Sequence, residues 1–439
     1  MKHFAALFLF ISLAALFSTG CSKPADSAAN PPNPPTDADQ GTSPPAVASE
    51  DVLALARGNN EFAFDLYARL AKKDGNVIFS PYSISTALAM TCAGARGATA
   101  DEMEKTLHFP LKPERLHPAF ADLSRRVAWA GRRGGGQLLI ADSLWGQRDY
   151  PLRDDFLRLT RDDYGAEMRQ VDFRDDTEGA RQTINRWVEQ KTQDMIRELL
   201  KPRVVDEDTR LVLVNAIYFR SLWWTPFSAG QTKEAPFRTA AGESVNVPMM
   251  HLTADFQYYE GDGVQVLELP YQGNRLSMVV ILPRAVDGMA EVEKALTAAR
   301  VEKWLTKPKG YEVIVTLPKF TTNCEFQLGS ELRALGMPLA FQDGPAGRPR
   351  ADFSGISDRA VRNDRCLHIS EVVHQARVEV TEEGTKAAAA TAVVMAQPES
   401  DVVPPPRARF QADHPFLFLI QDRDTESVLF VGRVTRPAT

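Results

Sequence analysis

The order of apolar and polar residues predicts both helices and strands between residues 50 and 439. Apolar side chains that recur every three to four positions lie on one face of a helix, whereas dense apolar runs are typical of buried strands. Helices and strands do not alternate regularly along the chain, so the pattern indicates an α+β fold and not a doubly wound sheet. The predicted helices are Glu61–Lys72, Ser83–Ala95, Asp122–Arg133 and Ile184–Leu200, and the predicted strands are Leu211–Phe219, Val264–Leu269, Leu276–Leu282, Glu312–Leu317 and Phe416–Ile420.

The most informative pattern lies between Glu382 and Met395, where a glycine is followed by small side chains and then by β-branched ones. Successive side chains of a strand point to opposite faces. One face of this segment, which starts at Thr385, then carries only small or apolar residues, and the other face starts with Lys386. The segment is therefore suited to enter a sheet with Thr385 inside and Lys386 in water. Its alanines also allow a helix in isolation, although the β-branched residues favour a strand.

Further motifs occur in a fixed order on the N-terminal and C-terminal sides of this segment. They are Asn76–Ser85, Gly94–Thr99, Leu213–Phe219, Trp223 with Pro226-Phe227, Glu268–Tyr271, Leu317–Phe320, Leu335–Met337, Ala351–Ile356 and Leu429–Arg433. Together with the segment at Glu382 they resemble the serpins, the serine protease inhibitors, from about Asn60 to the C-terminus. The hinge segment resembles the form found in inhibitory members.

The resemblance implies a serpin fold with three β-sheets, about nine helices and an exposed reactive-centre loop at about residues 382–409. It implies an irreversible suicide-substrate inhibitor of serine-type endopeptidases and not an enzyme. It places a buried polar cluster, the shutter, at Ser80, Ser83, Asn215 and His374, and it places Trp223 at the breach above the main sheet. The hinge residues that it implies are Glu382, Glu383, Gly384, Thr385, Lys386, Ala387, Ala388, Ala389, Ala390 and Thr391.

Two positions for the cleaved bond remain open. Counting forward from the hinge gives Pro398-Glu399, and counting back from Phe410 gives Val402-Val403. No Arg or Lys lies between Lys386 and Arg407, so elastase-, subtilisin- or glutamyl-type serine proteases are expected as targets before trypsin-like ones, with cysteine proteases as a further class.

The alternative function is a non-inhibitory serpin-fold binding or structural protein of the cell envelope. It is motivated by Pro398 and by the three prolines Pro404–Pro406 in the loop. In either case we expect a monomer.

The N-terminus indicates secretion. Lys2, the apolar run Phe4–Phe17 and small residues before Cys21 form a signal peptide over residues 1–20. Cys21 resembles the acylated cysteine of bacterial lipoproteins, and Ser22 after it favours sorting to the outer membrane; ordinary signal cleavage is the alternative. Residues 21–49 are rich in Pro, Ser, Ala and Asp and are expected to form a disordered tether. The serpin-like domain is then residues 50–439.

Composition excludes several other classes of function. The net charge of −6 argues against a general nucleic-acid binder. The sequence has no phosphate-binding loop, no nucleophile motif around its serines and no metal-type spacing of His, Cys, Asp or Glu, so no cofactor, metal or catalytic residue is expected. Cys92, Cys324 and Cys366 remain after Cys21, and buried free thiols are expected, with one disulfide as the alternative. Arg125, Arg126, Arg132 and Arg133 lie where some serpins bind polyanions, but a charge run is usually a solvated face, and that interpretation is favoured here.

Overall fold

The computed structural model describes residues 47–133, 136–166, 168–344, 348–358, 360, 366–384 and 405–438. This described part contains nine α-helices, and none of them is long and apolar enough to cross a membrane. The helices are α1 (Glu50–Leu70), α2 (Pro81–Ala93), α3 (Gly97–Thr106), α4 (Pro113–Arg133), α5 (Asp154–Tyr164), α6 (Thr177–Lys191), α7 (Met289–Lys294), α8 (Ala298–Leu305) and α9 (Gly329–Leu335). Short 3₁₀ turns occur at Ala229–Gln231 and Leu339–Phe341.

Fourteen strands lie in the same part of the chain. They are β1 (Val77–Phe79), β2 (Gln137–Gln147), β3 (Met168–Val171), β4 (Leu211–Arg220), β5 (Lys233–Arg238), β6 (Ser244–Gly261), β7 (Val264–Pro270), β8 (Leu276–Pro283), β9 (Lys309–Pro318), β10 (Phe320–Gln327), β11 (Glu371–Val380), β12 (Arg407–Gln411), β13 (Phe416–Asp422) and β14 (Val428–Val434).

Five strands form one sheet in the order β10-β11-β4-β2-β3. The strand β4 lies at its centre and pairs antiparallel with β2 but parallel with β11. The parallel pairing runs from Glu371 opposite Val212 to Val378 opposite Phe219, and we call this pairing the seam.

The other nine strands form one hydrogen-bonded network that the long strand β6 divides into two parts. A four-stranded part has the order β5-β6-β9-β12, and a six-stranded part has the order β6-β7-β8-β13-β14-β1. The predicted α+β class with a large sheet and further sheets is thereby confirmed.

Both faces of β4 are buried, which explains its nearly continuous apolar sequence. Alternate residues pack on opposite sides of the sheet. Val212 and Val214 share a core with Ile184 of α6, whereas Leu211 and Leu213 share a core with residues of α1 and α2. The five-stranded sheet is therefore a packed middle layer, and an additional strand could join it only between two of its strands or at an edge.

Three predicted helices have wrong boundaries, and capping explains two of the differences. The helix predicted at Asp122–Arg133 begins earlier, at Pro113, since proline is favoured at the first position of a helix. The helix predicted at Glu61–Lys72 begins at Glu50, where the Ser49 side chain accepts a hydrogen bond from the Val52 amide and two acidic residues occupy the first turn. The helix predicted at Ile184–Leu200 instead spans Thr177–Lys191. The side chain of Asp176 caps its start, and positive φ angles at Gln193 and Asp194 prevent its continuation.

Candidate functional site

The chain leaves the C-terminal end of β11, which we call its upper end, through a tight turn at Thr381–Gly384. The Thr381 amide and hydroxyl both donate hydrogen bonds to the Gly384 carbonyl, each at 2.7 Å. Gly384 has a φ of +136°, and a Cβ atom on it would lie 2.6 Å from Leu222 Cα and still closer to the Ser221 carbonyl oxygen. Only glycine tolerates both this backbone angle and so close an approach of two segments of the backbone.

The two glutamates of the hinge are held against the chain that follows β4. The amides of Phe227 and Trp223 donate to the carbonyls of Glu382 and Glu383, at 2.8 and 3.0 Å. The Glu382 carboxylate accepts from the Thr232 hydroxyl at 2.8 Å and pairs with Lys319 Nζ at 2.9 Å. Burial opposes ionisation of Glu382, but these hydrogen bonds hold its pKa below the ordinary value. The described part of the hinge is thus docked by both backbone and side-chain contacts.

Trp223 lies between the end of β4 and the hinge. Its side chain is buried and stacks on Tyr271 with ring centroids 4.6 Å apart and an interplanar angle of 8°. The indole N–H donates to the Thr381 carbonyl at 3.0 Å. Movement of the hinge away from this position must therefore break a hydrogen bond to the tryptophan.

A buried polar pair crosses the seam. His374 of β11 lies directly opposite Asn215 of β4, and its Nδ1 contacts Asn215 Oδ1. The His374 Nε2 atom accepts from the Ser80 amide at 3.0 Å, so Nδ1 carries the proton and donates to Asn215. Burial lowers the pKa of His374 to about 3, which agrees with a neutral ring.

The remaining polar groups of this region complete one network. Asn215 Nδ2 donates to Ser83 Oγ and to Asp142 Oδ1, and Ser83 Oγ donates to Asp142 Oδ1 at 3.0 Å. Burial raises the pKa of Asp142 to about 7, although the hydrogen bonds from Ser83 and Asn215 act in the opposite direction. We call Ser80, Ser83, Asp142, Asn215 and His374 the polar cluster.

The structure brings together all four residues that the sequence suggested for the shutter. It adds Asp142 of β2, which sequence reasoning missed. The available signal was a single acidic residue within the apolar run Leu138–Trp145. A carboxylate in a buried strand requires hydrogen-bonding partners, and here these come from two other elements.

Several predicted site residues lie outside the described residues. They are Cys21, Thr385, Lys386, Ala387, Ala388, Ala389, Ala390, Thr391, Pro398, Glu399, Val402 and Val403. Elsewhere, Cys92, Cys324 and Cys366 are free thiols, and the first and last of them are buried.

The arginines at the suggested polyanion position are not equally accessible. Arg126 is buried and its Nε atom is 3.1 Å from Asp122, whereas Arg125 is exposed and contacts the same carboxylate. Arg126 is therefore not available to bind a polyanion in this conformation.

Comparison with known proteins identifies the family of the chain. A family model described as "Serpin (serine protease inhibitor)" matches residues 57–437. The chain belongs to the serpin family. It is 40% identical over 380 residues to an uncharacterized serpin-like protein of Thermococcus kodakarensis, covering 86% of this chain and 84% of the relative. It is also 40% identical over 399 residues to the human leukocyte elastase inhibitor, covering 87% of this chain and 99% of the relative.

The structural comparison gives the same family. The crystal structure of human thyroxine-binding globulin complexed with thyroxine matches with a TM-score of 0.76 at 30% identity, covering 89% of this chain and all of that chain. The family and the elastase-inhibitor relatives support protease inhibition as the general activity of this protein.

Proposed function

We propose that the protein is an irreversible suicide-substrate inhibitor of serine-type endopeptidases. A target protease would cleave the loop at about residues 382–409, and the released hinge would enter the five-stranded sheet as a new strand. The observation that supports this proposal most directly is the parallel seam between β4 and β11, with the docked hinge at its upper end.

The strand directions favour insertion at the seam over addition elsewhere. The strands β4 and β11 run parallel, and the chain leaves β11 and turns at Gly384. If the residues after Gly384 ran back along β11 and entered the sheet between β4 and β11, they would be antiparallel to both strands. One parallel ladder would become two antiparallel ladders, and antiparallel pairing is slightly more stable per residue.

The gain in backbone hydrogen bonding is large enough to matter. The seam pairs eight residues of each strand. Replacing one ladder by two over this length adds on the order of eight hydrogen bonds, which at a net ~0.5–1.5 kcal/mol each amounts to about 4–12 kcal/mol. Since ~1.4 kcal/mol changes a rate tenfold, a fraction of this energy would suffice to distort a tethered protease and stop hydrolysis of the acyl-enzyme.

The side chains of the hinge and the polar cluster determine how fast insertion competes with hydrolysis. The sequence from Thr385 to Thr391 provides small residues for the inward face, so few bulky groups need to be desolvated. Insertion must also separate His374 from Asn215, because this pair crosses the seam. The cluster is therefore the barrier that a cleaved loop overcomes and an intact loop does not.

The composition of the loop supports an elastase-like target. The relative at 40% identity is named leukocyte elastase inhibitor. Val402 or Met395 before the cleaved bond would suit an elastase-like protease, and Glu399 would suit a glutamyl-specific one. Subtilisin-type and cysteine proteases are further classes to test.

A panel of elastase-, subtilisin-, glutamyl- and papain-type proteases tests the proposal. At least one should form an SDS-stable complex whose mass is the sum of the two chains, and mass spectrometry of the released peptide identifies the cleaved bond. The matched control is the same protein nicked in the loop beforehand, which should form no complex. Cleavage without complex formation by every protease would exclude suicide inhibition.

We also propose that Cys21 anchors the protein to a bacterial envelope, with residues 21–49 as a tether and the outer membrane as its location. Labelling with a radioactive fatty acid should mark the wild-type protein and not Cys21→Ala. Release of the wild-type protein into the soluble fraction without label would contradict anchoring.

The second candidate function is a non-inhibitory binding or structural role. It is favoured by Pro398 and Pro404–Pro406 in the loop and by the structural similarity to thyroxine-binding globulin. Thermal unfolding before and after loop nicking separates the two functions. Insertion should raise the unfolding midpoint by many degrees, whereas an unchanged midpoint would support the second function.

A further inference from the structure

A second group of reactive side chains lies at the opposite end of the seam from the hinge. The residues that lead into β11 are fixed here by backbone hydrogen bonds. The Ser370 amide donates to the Leu211 carbonyl at the start of β4, and the Ile369 amide donates to the Ala340 carbonyl in the 3₁₀ turn, both at 2.9 Å. This short lead-in is therefore attached to both β4 and the turn before it reaches the sheet.

Cys366 and His368 of the lead-in face Asp343, which follows the 3₁₀ turn. One ligand atom from each of the three residues lies within 4.8 Å of the other two. Cys366 Sγ is 3.6 Å from Asp343 Oδ1, and His368 Nδ1 is 4.0 Å from the same oxygen. Cys366 is buried, His368 is partly buried and Asp343 is exposed, so the group is open to solvent on one side. The sequence predicted no such cluster, because Asp343 and Cys366 are not spaced as in any common metal motif.

The separations are close to those of a metal centre. Zinc bond lengths of about 2.0–2.3 Å with tetrahedral angles place neighbouring ligand atoms about 3.4–3.6 Å apart. The sulfur–oxygen distance already has this value. The histidine ring must move closer, because its Nδ1 is 4.0 Å from the carboxylate oxygen and the three ligand atoms lie within 4.8 Å of one another. Backbone amides of Gly344 and Cys366 donate to Asp343 Oδ1 at 2.8 and 3.2 Å and hold the carboxylate in place, as outer hydrogen bonds do in metal sites.

We propose that Asp343, Cys366 and His368 bind one Zn²⁺ ion, with water as the fourth ligand. The combination of thiolate, imidazole and carboxylate suits zinc better than the all-oxygen preference of Mg²⁺ or Ca²⁺. The imidazole Nδ1 now lies 3.1 Å from the Cys366 carbonyl, and the ring exchanges this contact for the metal. The bound ion ties the lead-in of β11 to the segment after the 3₁₀ turn.

Zinc binding is measured on the purified, untagged chain carrying Cys21→Ser, so that this thiol does not compete. Titration against a chromophoric zinc chelator should give one site, and thermal unfolding should shift upwards with Zn²⁺ but not with Mg²⁺. Cobalt(II) replaces zinc in such sites, and a sulfur-to-cobalt charge-transfer band in the near ultraviolet would report the thiolate ligand.

Matched variants assign the site. His368→Ala and Cys366→Ser should weaken binding by on the order of a hundredfold or more, and Cys366→Ser should abolish the cobalt band. His251→Ala and Cys324→Ser change a partly buried histidine and cysteine elsewhere and should bind as the parent does. Asp343→Ala alters an exposed side chain, so it can test the site even if the substitution at the buried Cys366 prevents folding.

Two results would overturn the proposal. The first is a parent protein that does not bind zinc in competition with the chelator. The second is binding that His368→Ala and Asp343→Ala leave unchanged, which would place the ion elsewhere. Neither result depends on protease inhibition, because the site is assayed without a protease.

Discussion

The carboxyl of Asp142 gives the sharpest test of the polar cluster, because its titration lies close to neutral pH. Burial raises its pKa from 3.8 to about 7. A pKa that is higher in the folded protein than in the unfolded chain means that the folded protein binds the proton more tightly. The stabilisation that results is therefore fully present below pH 3.8 and is lost as the pH rises through about 7. Asp142→Asn removes this dependence and retains an oxygen acceptor.

The change in the free energy of unfolding follows from the shift in the pKa of Asp142. A shift from 3.8 to about 7 corresponds to about 4 kcal/mol. The residue is only partly buried by its surface area, so about 2–4 kcal/mol is the expected range. Relative to the wild type, the asparagine variant should thus gain this amount between about pH 4 and pH 7.5. For a domain of this size, with an unfolding entropy of ~2.1 cal/mol/K per residue, that corresponds to a change of about 2–5 °C in the difference between unfolding midpoints.

The neighbouring imidazole makes the prediction more specific. Burial lowers the pKa of His374 from 6.5 to about 3, so its contribution is present above pH 6.5 and is lost as the pH falls towards 3. Between about pH 4 and pH 6.5, a rising pH therefore removes the stability contributed by Asp142 and restores the stability contributed by His374, so the two changes partly cancel in the wild type. In Asp142→Asn the histidine acts alone, and the variant should lose stability as the pH falls through this range.

The assay is thermal unfolding of both proteins at a fixed scan rate, in steps from pH 4 to pH 8. Asp255→Asn, which changes an exposed carboxylate on β6, serves as the control and should follow the wild type. A constant difference between Asp142→Asn and the wild type across this range would refute the reasoning, because it would mean that the carboxyl does not titrate with the raised pKa that burial implies.

Three further predictions concern the seam and the hinge. His374→Ala removes one donor and one acceptor from the polar cluster and should lower stability by about 2–4 kcal/mol, seen as a lower unfolding midpoint; an unchanged midpoint would mean that the cluster does not hold the seam. Gly384→Ala forces a Cβ against backbone and should cost about 2–4 kcal/mol, whereas Gly242→Ala, with φ +82° and open space, should cost only about 1 kcal/mol; equal midpoints for the two variants would contradict the close approach. Thr385→Arg should turn the inhibitor into a substrate, since an unpaired guanidinium resists burial, and Lys386→Glu should not; equal ratios of complex to cleaved protein would contradict the assigned strand faces.

Much of the fold follows from local patterns in the sequence. The apolar runs around β4, β7, β8, β9 and β13 are long enough that burial alone specifies strands, and the structure agrees within a few residues. Helix boundaries were less predictable, because they depend on single contacts. The caps at Ser49 and Asp176 are ordinary polar residues whose role appears only once the backbone is in place.

The site was predictable to the extent that it depends on motifs. Ser80, Ser83, Asn215 and His374 were expected together from the family resemblance. Asp142 was not, because its bonds to Ser83 and Asn215 join residues 59 and 73 positions apart, and no periodic pattern reports such contacts. The group at Asp343 was missed for the same reason.

The contacts of Trp223 also make it an internal optical probe. The chain has six tryptophans, and this one is buried, stacked on Tyr271 and hydrogen-bonded through its indole N–H to the Thr381 carbonyl. Departure of the hinge from the top of β4 breaks that hydrogen bond and changes the polarity around the indole. Stopped-flow recording of intrinsic tryptophan fluorescence, with Trp223→Phe as the comparison, would therefore measure the rate at which the hinge moves without any attached dye. This rate could then be compared with the rate at which the protease cuts the loop.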